Sequence, residues 1–153
     1  MTNIQNKLER YLNEHYVQNP KLTFRSYVMK RMEGLVKTIG KEHVIYQRGN
    51  IDRRLHNKLK HAADDYQPHK TTALAYCLAL GLNSIEAEEL LYLAGYHFEE
   101  GSLTDQIVKC CLEEGVYSAD VVNNEICYFA EIYGLKKVEL IGSVVREVKD
   151  TPK

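Results

Sequence analysis

Residues 71–81, TTALAYCLALG, constrain this chain more than any other stretch. Apolar side chains fall on almost every side of the helical projection, so a helix here has no broad face for water and is stable only when surrounded. Pro68 lies in the loop before it, and Gly81 can adopt the backbone that ends a helix. A helix over 70–81 is therefore expected at the centre of a bundle. The 153 residues are enough to build a shell around it without disulfides or metals.

The shell can be read from periodicity and caps. Residues 3–17 form a helix with Ile4, Leu8, Tyr11, Leu12 and Tyr16 on one face, stopped by Asn19 and Pro20. Thr23 caps a second helix running to about Lys37, and a short third covers roughly 41–48. Gly49-Asn50 marks a sharp turn, since both residues tolerate positive φ. Asp52 caps a fourth helix, 53–62, anchored by Ile51, Leu55 and Leu59. Asn83 or Ser84 starts a helix over 85–94, and serines precede two more, at 102–114 and 118–132. The tail mixes Val138, Leu140 and Val144 with charges, as a weak strand or extended segment does. The expected class is all-α: an N-terminal helix (1–20), a core (21–98), a C-terminal helical extension (99–134) and a tail (135–153).

Net charge is only −1, but its distribution is lopsided. Residues 1–70 hold 14 Lys and Arg against 7 Asp and Glu, whereas residues 84–125 hold Lys109 against ten acids. The first half can face a polyanion and the second cannot. No apolar run approaches the roughly 20 residues of a membrane span, and the first 20 residues are too polar for a secretory signal. No membrane partner is expected, and a cytoplasmic location is. Cys77, Cys110, Cys111 and Cys127 form no CxxC pair and read as buried or half-buried thiols. The six histidines form no HxxxH or HExxH pattern, and the neighbouring acids at 88–89, 99–100 and 113–114 read as solvated charge. Neither a metal, a cofactor nor a catalytic site is expected.

The run IYQRGNIDRRLHNKLKHAADDYQPHKTTALAYCLALGLNSIEAEELLYLAGY resembles the core of lambda-repressor-like, or Xre-type, helix-turn-helix domains over residues 23–96. Through YQPHKTTALAYCLALGLN, EELLYLAGY and the segment after Ser102, the stretch to about Tyr133 is similar to bacterial domains of this type that carry two extra C-terminal helices. The resemblance implies a lambda-repressor-like multi-helix bundle in which one short helix crosses the DNA backbone and the next enters the major groove. Two positions depart from the pattern: Tyr46 stands where the family commonly keeps Ala, and His56 where an apolar residue usually packs.

On that reading residues 53–61 are the recognition helix. Arg54, Asn57, Lys58 and His61 recur at spacings of three and four and share one stripe. Arg reads guanine and Asn reads adenine, each through two hydrogen bonds. Arg53 lies early in the helix, where such domains reach base edges. Lys58, Lys60, Arg48 and Lys70 suit phosphates, and Tyr66 can donate to one. Lys30, Arg31, Lys37 and Lys41 would extend the footprint. The resemblance thus implies a regulator that binds double-stranded DNA. A homodimer, formed through the 3–17 helix or the C-terminal helices, would add specificity. The alternative is an interaction module that keeps the architecture and binds a protein through its acidic C-terminal helices or its tyrosine-rich surface. Eleven Tyr against three Phe and no Trp suit such a surface.

Overall fold

The computed structural model describes residues 2–18 and 20–142, together with the backbone of residues 146–147. Among these are eight helices: α1 (Asn3–His15), α2 (Phe24–Val36), α3 (Glu42–Gln47), α4 (Arg53–Lys60), α5 (Lys70–Ala79), α6 (Ser84–Leu93), α7 (Leu103–Glu113) and α8 (Ala119–Ile132). Two-residue strands β1 (Lys137–Val138) and β2 (Arg146–Glu147) pair antiparallel, Lys137 opposite Glu147 and Val138 opposite Arg146. No described helix is long and apolar enough to cross a membrane.

Helix starts follow local chemistry. Thr23 and Asn83 each accept from the backbone of the third helical residue, whose own side chain returns a bond to the cap, closing a capping box. Asp52, Ser102 and Ser118 make the single cap bond to Leu55, Asp105 and Val121. The asparagine, not Ser84, caps α6.

Helix α5 lies at the centre, with eight of its ten residues buried. It packs against α3, α6 and α7, while α2 lies across α3 and α6 and α8 covers α7. Val108 and Leu112 of α7 and Val122, Ile126 and Ala130 of α8 belong to the same hydrophobic cluster as Leu74, Leu78 and Leu90. The core is therefore continuous from α5 through α8. The tail is also built in: Val138, Leu140 and Ile141 are buried. The Asn123 side-chain amide accepts from Ile141 N at 2.8 Å and donates to Ile141 O at 2.9 Å, and Thr104 Oγ1 donates to Glu139 O. A weak strand or extended tail is expected; the tail supplies the short β1–β2 pair and is stapled down as far as Gly142. Val144, expected in the apolar pattern of the tail, lies outside the described residues.

The turn between α3 and α4 is held from two sides. A Cβ on Gly49 would stand 2.2 Å from the Ala75 carbonyl oxygen, so only glycine lets the turn lie against α5. Gly49 is thus needed for close approach, and the positive φ expected of the pair belongs to Asn50 alone, at 58°. On the other side Gly142 of the tail lies over Asn50, where an added Cβ would come within 2.8 Å of Asn50 Cβ. Ala119 N, an unpaired donor at the start of α8, bonds the Arg48 carbonyl at 2.8 Å.

The cysteines differ partly from expectation. Cys77 is buried and Cys111 and Cys127 are half-buried, but Cys110 is exposed. Helix α1 departs further, since every residue in it is exposed, its apolar ones included.

Candidate nucleic-acid interface

Helix α4 is sharply two-sided. Leu59 and His56 are buried and Leu55 is half-buried, while Arg53, Arg54, Asn57, Lys58 and His61 are all exposed. The inward residues fix the outward ones, because turning the helix would bring cationic side chains into the core. Arg53, Arg54 and Lys58 form no ion pair with any described residue. Three cations, an amide and an imidazole therefore stand together facing water.

A side chain from another helix secures the end of α4. Arg25 of α2 donates from Nε to the Leu59 carbonyl at 3.0 Å and from Nη2 to the Lys60 carbonyl at 2.5 Å, and its Nη1 lies 3.3 Å from Asp64 Oδ1. It supplies partners and positive charge where the helix has unpaired carbonyls and a negative dipole end. Sequence reasoning missed Arg25, for the carbonyls it serves lie 34 and 35 residues away and leave no local signal.

The inward side of α4 is polar at its centre. The His56 ring is 1% exposed and stacks on Tyr46, with 4.6 Å between centroids and 26° between planes. Its Nδ1 lies 2.9 Å from the Tyr76 hydroxyl of α5. Nε2 stands 3.3 Å from Glu42 Oε1 but out of line for a hydrogen bond, so the carboxylate meets only the polar edge of the ring. Burial pushes the His56 pKa below the ordinary imidazole value, against the pull of Glu42 and with the help of Lys60. The ring is accordingly neutral at pH 7, and the Tyr76 hydroxyl, its pKa raised by burial, stays protonated to donate to it.

The remaining expected contacts lie elsewhere. Lys60 is half-buried at the edge of the face, 3.2 Å from Glu42 Oε1. Arg48 donates to the Ala79 carbonyl from Nε at 3.2 Å and Nη2 at 2.5 Å and lies over the Tyr117 ring, so it closes the end of α5. Lys70 reaches the buried Asp105 carboxylate at 2.5 Å and Glu99 at 3.3 Å, tying α5 to α7. Tyr66 is half-buried against the core and lines a cavity of about 740 Å³ with Pro20, Leu22, Phe24 and Leu93. Of the flanking cations, Arg31 pairs with Glu86 at 2.8 Å, whereas Lys30, Lys37 and Lys41 are exposed. Nine expected contacts thus resolve into four exposed residues on α4 with His61 capping its end, Lys60 at their edge, and three side chains engaged within the fold.

No family model, no curated protein and no solved structure matches this chain.

Proposed function

We propose that this chain binds double-stranded DNA by setting α4 in the major groove, as a helix-turn-helix regulator of transcription. The observation that carries the reading is the outward face of α4, where Arg53, Arg54, Asn57, Lys58 and His61 are exposed together over a buried inner side. Arg54 and Asn57 have the donor geometry to read base edges, and Lys58 has the point charge for a phosphate. Arg48, Lys70 and Tyr66 have other partners and take no part in it. With Lys58 and Lys41 on phosphates, roughly two are neutralised, and affinity should fall about tenfold between 50 and 200 mM salt.

Fluorescence anisotropy with duplex DNA at those two salt concentrations tests the reading. Arg54→Ala or Asn57→Ala should relax the preference among sequences, and Lys58→Ala should weaken all of them alike. Binding by the three variants that equals the parent's would remove α4 from the interface.

One observation favours a second reading, a protein-interaction module. Val121, Tyr128 and Ile132 are exposed along α8, with Tyr133 at its C-cap, among Asp120, Glu125 and Glu131. An apolar stripe with an acidic rim suits a partner of cationic, amphipathic character. Pull-down with and without nuclease separates the two, because a protein partner survives nuclease and one bridged by DNA does not.

A further inference from the structure

Helix α1 presents an unusual physical situation. It is 13 residues long, its N-terminus is closed by a capping box from Thr2 and Gln5, and none of its residues is buried. A helix of that length standing alone in water is marginal even with a good cap. Its apolar residues are nevertheless ordered into a stripe: Ile4 is 60% exposed, Leu8 47%, Tyr11 59% and Leu12 47%. Position 15 continues the stripe, with the His15 ring stacked on Tyr11 at 3.9 Å. Ile4, Leu8, Tyr11 and His15 step by four, three and four residues, the alternation of a two-stranded helical seam.

The charges beside that seam identify what covers it. Lys7 and Glu14 are one heptad apart and lie on the same flank of the stripe, each next to a seam residue. When two copies of α1 run antiparallel about a twofold axis, like flanks meet. Lys7 of one copy then faces Glu14 of the other, and the symmetric pair forms at the opposite end. In a parallel arrangement Lys7 faces Leu12 of the second copy and the complementarity is lost. We infer that α1 is a self-association element that pairs antiparallel with α1 of a second copy, with Ile4, Leu8, Tyr11 and His15 in the seam and Lys7–Glu14 ion pairs at both ends. This inference is independent of DNA binding, and neither result bears on the other.

The seam is short. Four side chains a helix fall below the roughly 800 Å² per partner of a standard stable interface. The dimer is therefore expected to dissociate on dilution, with a Kd on the order of tens of micromolar.

Sedimentation equilibrium on the full chain, up to about 0.5 mM, reads this directly. The mass should rise with concentration from 17.7 kDa towards twice that value. Lys7→Glu and Glu14→Lys each replace two attractive pairs by two repulsive ones, and each alone should weaken self-association about tenfold. Both positions are exposed, so an unchanged circular dichroism spectrum and unfolding midpoint will exclude misfolding. Mixing the two single variants is the decisive arm. An antiparallel heterodimer of Lys7→Glu with Glu14→Lys restores opposite charges at both ends, so the mixture should associate at least as well as the parent. A monomer at every concentration overturns the inference, as does a dimer indifferent to both substitutions or a mixture no tighter than its components.

Discussion

The ring of Tyr46 on α3 lies flat against the ring of His56 on α4, with 4.6 Å between centroids and 26° between planes. The tyrosine fills the space between the helices, and the histidine offers it a flat face while turning Nδ1 to the Tyr76 hydroxyl. The contact between the two helices is thus aromatic, with a polar group at its centre.

That chemistry makes stability depend on pH. The folded-state pKa of His56 is lowered by burial while the unfolded chain keeps the ordinary 6.5, so below that value the unfolded state binds more protons. The contribution is fully present above pH 6.5 and is lost progressively as pH falls towards the folded-state pKa. Urea midpoints measured at pH 5 and pH 7.5 should differ for the parent, and the difference should shrink in His56→Gln. An equal difference in both proteins assigns the pH dependence to another group.

Removing the imidazole altogether leaves the Tyr76 hydroxyl buried without its partner. His56→Leu should therefore destabilise by about 1–3 kcal/mol, despite its greater hydrophobicity. Tyr76→Phe in the same background should recover part of the loss, a coupling that a double-mutant cycle will show.

Gly49 is the position least tolerant of a methyl group. Gly49→Ala puts Cβ 2.2 Å from the Ala75 carbonyl oxygen, and the turn must move away from α5. A loss of about 3 kcal/mol or more is expected in thermal or urea unfolding. Asn50→Gly next to it should be nearly neutral, because its φ of 58° is one glycine adopts freely.

Lys70 and Lys58 separate structural charge from surface charge. Lys70→Ala leaves the Asp105 carboxylate buried without its cation and should cost about 3–5 kcal/mol in unfolding free energy. Lys58→Ala should change stability by no more than about 0.5 kcal/mol. If α4 faces DNA, Lys58→Ala lowers the salt slope by about one, and a variant of Lys70 that remains folded leaves it unchanged.

The helices, their starts and the exposed face of α4 were legible in the sequence because they rest on interactions within a few residues. Thr23, Asp52, Asn83, Ser102 and Ser118 cap donors three residues on, and the spacing of Leu55 and Leu59 in the α4 sequence already marks its inward side. The central place of α5 followed from its lack of a polar stripe. What each long cation does was settled only in the folded chain. Arg48 serves a carbonyl 31 residues away, Lys70 a carboxylate 35 residues away, and Arg25 carbonyls 34 and 35 residues away. Local pattern says that such a side chain is charged, and the partners that tertiary packing brings near decide whether the charge faces solvent or a neighbouring helix. The tail behaves in the same way: two of its apolar residues, Val138 and Leu140, already stood out among charges, but the Asn123 amide that holds Ile141 comes from α8, 18 residues away. Sequence determined the elements and the side they turn inward. Tertiary structure decided which polar groups were left facing water, because that depends on contacts between residues distant along the chain.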